Sequence, residues 1–435
     1  MEYVNGLMNP QDMYITKNGT IYILDTGNNR IVVTDNDFST LYEISELSGK
    51  SDKLTLNEAK GIFVNSKGDI YIADTGNRRV LKLRHDGTIL AEITKPESAN
   101  FSQSIEFIPN KLVTDGMGNI YVTCTGVYEG AVMFSAEGKF LGYFGASEVT
   151  ASKNVLVDAF WRQFMTDEQK ESMSKYVPAE LCNLDVTEDN FIFSITNSSF
   201  NVLTDEKENM DDISKLNPKG KDILNIKMSE KALEYMQKDG KLLRFADVVS
   251  DKDSFIYIVD DNLCRILQYD SDLNLLCAFG GKGNAIGLLQ KPSAIECYGN
   301  KLYVLDSEKN SVTVFEETEF GSVLREAITL YNSGKYEEAI EPFTQVLKMD
   351  ANYEFAYVGI GSALMGQGKY KEAMECFEKG YDSEKYNAAF KYYRIEFIRQ
   401  NFLYIIVIIV VAAVLIPIFI RLCKMHIKRR RKNEP

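Results

Sequence analysis

The phrase Asp25-Thr26-Gly27-Asn28-Asn29-Arg30 returns 49 residues later as Asp74-Thr75-Gly76-Asn77-Arg78-Arg79. Each copy follows a glycine turn and a short apolar strand, Gly19-Thr20-Ile21-Tyr22-Ile23 and Gly68-Asp69-Ile70-Tyr71-Ile72. A strand–turn–strand unit of that period is the size of one propeller blade. One blade cannot bury both of its apolar faces, so a single repeat demands neighbours on either side.

The strand recurs as Gly118-Asn119-Ile120-Tyr121-Val122. With more drift it recurs as Asn190-Phe191-Ile192-Phe193, Phe255-Ile256-Tyr257-Ile258 and Asn300-Lys301-Leu302-Tyr303-Val304. Tyr22, Tyr71, Tyr121, Phe193, Tyr257 and Tyr303 share one repeat position, and the apolar alternation around them has the period of two that marks a strand. Six blades are predicted between residue 9 and about residue 318. Asp25, Asp74, Asp260 and Asp306 share the position that closes the strand, where a short carboxylate accepts backbone N–H groups of the turn. Acids in four different blades cannot converge on one reacting atom, so their role, with Arg30 and Arg79, is structural. These residues resemble the NHL-repeat β-propeller family. The resemblance implies a six-bladed ring over residues 1–320, mainly β, and leaves function open, because propellers host unrelated activities. Blades three and four depart from the pattern, with Cys124 at the aspartate position. Two insertions, about 146–180 and 228–242, are expected to be helical. The first carries the helical spacing of Val155 to Met165 and a cap at Thr166; the second runs from Ser229 to Lys238.

A second repeat follows. Gly334, Tyr336, Ala339 and Phe343 return at an offset of 34 as Gly368, Tyr370, Ala373 and Phe377. That offset is the period of a helix pair in which small residues admit the neighbouring helix and aromatics fill the groove. It resembles the tetratricopeptide family. Residues 321–400 are expected to hold two such repeats and a covering helix from about Ser383 to Gln400.

Phe402 to Ile420 are nineteen uncharged, mostly aliphatic positions. As a helix they extend roughly 28 Å, one bilayer core. Seven basic residues and one acid follow in 421–435, while 1–420 carries a balance of −19. Basic flanks stay on the cytoplasmic side, so the reading is a single-pass cell-membrane protein with its C-terminus cytoplasmic and its propeller outside. Met1 to Gly6 is not an export signal, so a leader upstream of Met1 is expected; a tail-anchored cytosolic adaptor is the alternative. The acidic body repels phosphate backbones and argues against nucleic-acid binding.

The chain has two histidines, His85 at a turn and His426 in the basic tail. No Ser-His-Asp or Cys-His nucleophile arrangement can be drawn from them. The seven cysteines contain no CxxC pair and read as free thiols. No cofactor motif is read, and no catalytic residue is assigned. The first strands of the blades place Asp12, Gly61, Lys111, Asn183, Asp247 and Ala294 at one level, with Lys60 beside them. Asp12, Lys60, Lys111, Asn183 and Asp247 are the candidate ligand-binding residues at the channel mouth. Their mixed charge suits a carbohydrate or a peptide end. A calcium-dependent, lactonase-like hydrolase built on Asp12, Asn183 and Asp247 is the alternative, opposed by nearby lysine charge. The leading expectation is a non-enzymatic scaffold with protein partners, displayed on a membrane. The layout resembles bacterial membrane-anchored surface repeat proteins, some of them accessory to uptake or envelope assembly.

Overall fold

In the run Ile21-Tyr22-Ile23-Leu24, alternate side chains enter different cores. Ile21 and Ile23 pack with Ala294, Tyr303, Leu305 and Val312, whereas Tyr22 and Leu24 pack with Ile62, Val64, Ile70 and Ile72. A strand of period two therefore glues its sheet to one neighbour on each face. Each such side chain contributes roughly 1.5–3 kcal/mol by leaving water.

The computed structural model describes residues 6–51, 54–145, 180–187, 189–196, 213–224 and 244–432. The chain divides into two compact units, Met1–Glu317 and Thr318–Pro435. In the first unit the described residues form six antiparallel sheets. Sheet one is β1 (Asp12–Ile15), β2 (Ile21–Asp25), β3 (Arg30–Thr34) and β4 (Thr40–Ile44); sheet two is β5 (Gly61–Val64), β6 (Ile70–Asp74), β7 (Arg79–Leu83) and β8 (Ile89–Ile93). Sheet three is β9 (Pro109–Thr114), β10 (Ile120–Cys124), β11 (Ala131–Phe134) and β12 (Phe140–Phe144), and sheet four is β13 (Leu181–Val186), β14 (Ile192–Thr196) and β15 (Ile213–Leu216). Sheet five is β16 (Phe245–Ser250), β17 (Ile256–Asp260), β18 (Arg265–Tyr269) and β19 (Leu275–Gly280); sheet six is β20 (Pro292–Tyr298), β21 (Lys301–Asp306) and β22 (Ser311–Glu316). The strands β1, β5, β9, β13, β16 and β20 adjoin one another in that order, and β20 returns to β1. The fold is a six-bladed β-propeller. At the closing seam the Ser293 hydroxyl donates to Pro10 O at 3.2 Å and Asn9 N–H donates to Asn310 Oδ1 at 2.6 Å. The helical insertions expected at about 146–180 and 228–242 lie, Glu180 apart, outside the described residues.

The repeated phrase is a clamp. Thr26–Asn28 and Thr75–Asn77 each make one 3-10 turn, ended by Asn29 and Arg78 in the left-handed region at φ 52° and 58°. Asp25 accepts Met8 N–H at 2.7 Å, Asn28 Nδ2 at 2.8 Å and Arg30 Nε at 2.7 Å. Asp74 repeats this with Asn57 N–H at 2.8 Å, Asn77 Nδ2 at 2.9 Å and Arg79 Nε at 2.7 Å. Each carboxylate thus ties the end of a blade's second strand to the loop that enters its first. Asp260 accepts Arg244 N–H and Asp306 accepts Gln290 N–H in the same way. A Cβ on Gly27 would meet Met8 O at 2.5 Å, and one on Gly76 would meet Asn57 O at 2.7 Å, so only glycine lets that loop approach.

The second unit is helical: α1 (Glu319–Asn332), α2 (Tyr336–Met349), α3 (Glu354–Gly366), α4 (Tyr370–Lys379), α5 (Ser383–Gln400) and α6 (Phe402–Lys432). Gly334 and Gly368 turn the chain before α2 and α4, both at φ 77°. Ala339, Ala373, Phe343 and Phe377 are fully buried. Phe343 lies against Gly359 and Phe377 against Gly361, where an added Cβ would meet the ring at 2.5 and 2.8 Å. Tyr336 stays half-exposed and packs on Tyr331, ring centroids 5.2 Å apart. The apolar stretch and the basic residues after it form one continuous helix. Phe402–Lys424, with mean hydropathy 3.3, is long and apolar enough to cross a membrane.

Candidate functional site

Strand register defines two levels along the propeller axis. Asp12, Gly61, Lys111, Asn183, Asp247 and Ala294 pair with Leu24, Ala73, Thr123, Ile195, Val259 and Leu305. Each partner directly precedes the repeat's aspartate position, so the six residues are equivalent. Two residues further on, side chains return to the same side of the strand. There Tyr14, Phe63, Val113, Asp185, Val249 and Glu296 pair with the repeat aromatics Tyr22, Tyr71, Tyr121, Phe193, Tyr257 and Tyr303. Sequence reasoning found the first level and missed Tyr14, Asp185 and Glu296 in the second. Extending the aligned strands by one period of two would have found them.

At the first level the candidates fall into two pairs. Lys111 Nζ donates to Asp12 Oδ1 at 2.5 Å, and the Ile62 N–H of the next blade donates to Asp12 Oδ2 at 2.7 Å. Asn183 Nδ2 donates to Asp247 Oδ1 at 2.5 Å, and the Ile295 N–H of the next blade donates to Asp247 Oδ2 at 2.7 Å. Asp185 does the same one level on, accepting Ser250 N–H at 2.9 Å and the Ser250 hydroxyl at 3.2 Å. These carboxylates therefore staple one inner strand to the next. Lys60 stays out of the group: it is exposed, and its N–H bonds Ala73 O in the strand pairing.

Asp12, Asp247 and Glu296 feel the ammonium of Lys111, and Glu296 also feels the Asp185 carboxyl. Burial pushes Asp247 up to about 7; Lys111 pulls it down and Asp12 pushes it further up. Burial raises Asp185 to about 6 against its Ser250 hydrogen bonds. Glu296 is held well above the usual carboxylate range by burial and then by Asp185, Asp247 and Asp12. Asp12 is raised by burial, with Lys111 opposing. Carboxyl groups that keep a proton near neutral pH both donate and accept hydrogen bonds. Tyr14 sets its ring against Phe63, centroids 4.8 Å apart, beside this acidic wall.

Both oxygens of Asp12 and of Asp247 already accept hydrogen bonds, and among the described residues no group of three or more His, Cys, Asp or Glu side chains is arranged to hold a metal ion. The cysteines among the described residues are free thiols.

The NHL repeat family model matches residues 7–33, and the tetratricopeptide repeat model matches residues 356–387. The chain carries both repeat types. Over 123 residues it is 28% identical to the small glutamine-rich tetratricopeptide repeat-containing protein 2 of Mycosarcoma maydis, which covers 28% of this chain and 32% of the fungal protein. The chain thus spans about a third of that relative's length. Over 68 residues, 16% of the chain, it is 32% identical to an uncharacterized protein of Methanocaldococcus jannaschii, 79% of which is covered. Over that segment the chain belongs to the family of the archaeal protein. Among solved structures, virginiamycin B lyase from Staphylococcus aureus is 13% identical with a TM-score of 0.41, covering 73% of this chain and 87% of the lyase. A gluconolactonase from Xanthomonas campestris is 10% identical with a TM-score of 0.41, covering 71% of this chain and 86% of that one.

Proposed function

We propose that the chain is a membrane-anchored, non-enzymatic binding protein. Its propeller and tetratricopeptide unit offer interaction surfaces outside the cell, and its C-terminal helix holds it in the cell membrane with the tail cytoplasmic. One observation carries the reading: the axial carboxylates that a hydrolase would need free are spent stapling neighbouring blades and pairing with Lys111. What remains toward the axis is the raised carboxyl of Glu296, the donors of Lys111 that Asp12 does not take up, and the Tyr14–Phe63 aromatic pair. That chemistry holds a polar ligand, a carbohydrate or a peptide end, through hydrogen bonds to both donors and acceptors. The tetratricopeptide unit supports a protein partner, in keeping with the general use of such repeats. The resemblance of this layout to surface repeat proteins suggests a role beside a transporter or in envelope assembly.

The test is a glycan and peptide array probed with the full chain in detergent. A ligand should appear and should weaken roughly tenfold or more in Lys111→Met, the loss expected for one charge-assisted hydrogen bond. Lactone turnover with a stoichiometric bound ion that disappears in Asp247→Ala would replace this reading with the hydrolase. Protease treatment of intact cells and spheroplasts reads the topology: digestion of the propeller supports display, and protection supports the cytosolic adaptor.

A further inference from the structure

The last turns of α5 outrun the helices they cover. Ala389 is buried, Tyr386 packs on the Ala373–Phe377 cluster, and Tyr392 stacks on Tyr370 with ring centroids 5.6 Å apart. Beyond Tyr392 the apolar residues continue, with Phe397 set against Tyr393 of the same helix, ring centroids 6.3 Å apart. Ile395, Phe397 and Ile398 are 55%, 51% and 52% exposed. Lys391, Arg394 and Arg399 alternate with them against a single acid, Glu396. The Arg394 guanidinium lies 5.4 Å over the Phe390 ring, so cation and apolar surface form one patch.

The patch runs straight into the apolar helix. Only Asn401 separates α5 from α6. Its N–H and its side-chain amide both donate to Phe397 O, at 3.0 and 2.9 Å, and its carbonyl accepts Ile405 N–H at 2.9 Å. The helix path is thus carried across the junction. Phe397 precedes Phe402 by five residues, roughly 8 Å of helix. The polar layer on each side of a bilayer core is about 5–8 Å thick. A second copy of the chain would set three cations against three cations; an anionic lipid surface complements them.

We propose that residues 391–400 form a lipid-interface segment. Ile395, Phe397 and Ile398 enter the boundary between headgroups and acyl chains, and Lys391, Arg394 and Arg399 meet anionic lipid phosphates. This rests on the membrane reading of α6.

The test uses the full chain in vesicles of brominated phosphatidylcholine and phosphatidylglycerol. Trp161→Phe removes the chain's one tryptophan, and single probes are then placed as Phe397→Trp, Leu415→Trp or Met349→Trp. Bromines near the headgroup end of the acyl chain should quench the probe at 397 at least about twofold more than the probe at 349, as expected for a side chain some 5–10 Å into the interface. Deep bromines should quench the probe at 415. Replacing Lys391, Arg394 and Arg399 by Gln should lower quenching at 397 in anionic vesicles and leave that at 415 unchanged. Quenching at 415 with none at 397 overturns the proposal and leaves the membrane reading intact. A probe at 397 that is shielded from water yet unquenched overturns it in favour of a second copy. No quenching at 415 removes the membrane reading, and the interface segment with it.

Discussion

In the propeller the join between a loop and its blade is a buried ion pair; in the helical unit the join between neighbouring helices is a benzene ring set against a glycine. Asp74 and Arg79 meet at 2.7 Å with both side chains almost wholly out of water. Phe377 meets Gly361 with no charge involved. Charged clamps suit strands whose connecting loops must be pinned at one point, because a hydrogen-bonded carboxylate fixes direction as well as distance. Ring-and-notch packing suits helices, where shape alone sets the approach. The price of the first solution is sensitivity to the loss of either partner; the weakness of the second is volume.

The largest effect should come from Asp74→Ala. It strips Arg79, 1% exposed, of its closest carboxylate, leaving bonds that include Glu92 at 3.2 Å and Ser51 Oγ at 2.8 Å. Breaking such a pair costs about 3–5 kcal/mol, read as a fall in the urea midpoint of the propeller. Asp25→Ala should cost less, roughly 1–3 kcal/mol, because Arg30 is 19% exposed and keeps Glu43 at 2.8 Å. Equal losses at the two sites would break the argument from burial. Phe377→Ala falls between those two, at about 3 kcal/mol, and Gly361→Ala matches Asp25→Ala, at about 1–3 kcal/mol by overpacking. Both helix substitutions should destabilise the helical unit alone, by the same amount at acid and neutral pH.

The smallest effect is the one that most sharpens the comparison. Asp247 and Asp185 hold their protons up to about 7 and about 6 in the fold, above the ordinary carboxylate value of about 4. The unfolded chain releases those protons first. Their contribution to stability is therefore full in acid and is lost as pH rises from about 4 toward 7. Asp247→Asn carries no such proton, so its stability relative to the natural chain should climb over that window and level off above it. Thermal melts at a series of pH values read this directly. A difference that is flat in pH would mean the axial acids are not coupled to folding.

The ring was legible wherever the phrase survives. Asp25, Asp74 and Asp306 announce their blades because a turn that needs a buried carboxylate admits few substitutes. Sheet three lacks the phrase, with buried Cys124 at the aspartate position, and was legible instead from Gly118 and the strand through Tyr121. The helix pairs were legible from Gly334 and Gly368, since a left-handed turn keeps its glycine. The axial site was only half legible. Alignment placed Asp12, Lys111, Asn183 and Asp247 at one level, but pairing depends on how each inner strand leans on the next. That geometry sends Asp12 to Lys111 and leaves Lys60 in solvent. The helix that opens with the apolar stretch runs on to Lys432, because arginine and lysine are good helix formers once the first turns exist.

Where β20 meets β1, the described residues hold the ring through Ser293 and Pro10, Asn9 and Asn310, and the side chains around Met13 and Tyr303. Parting of that seam would turn two apolar sheet faces toward water. These few bonds therefore stand between a soluble ring and one that sticks to its neighbours.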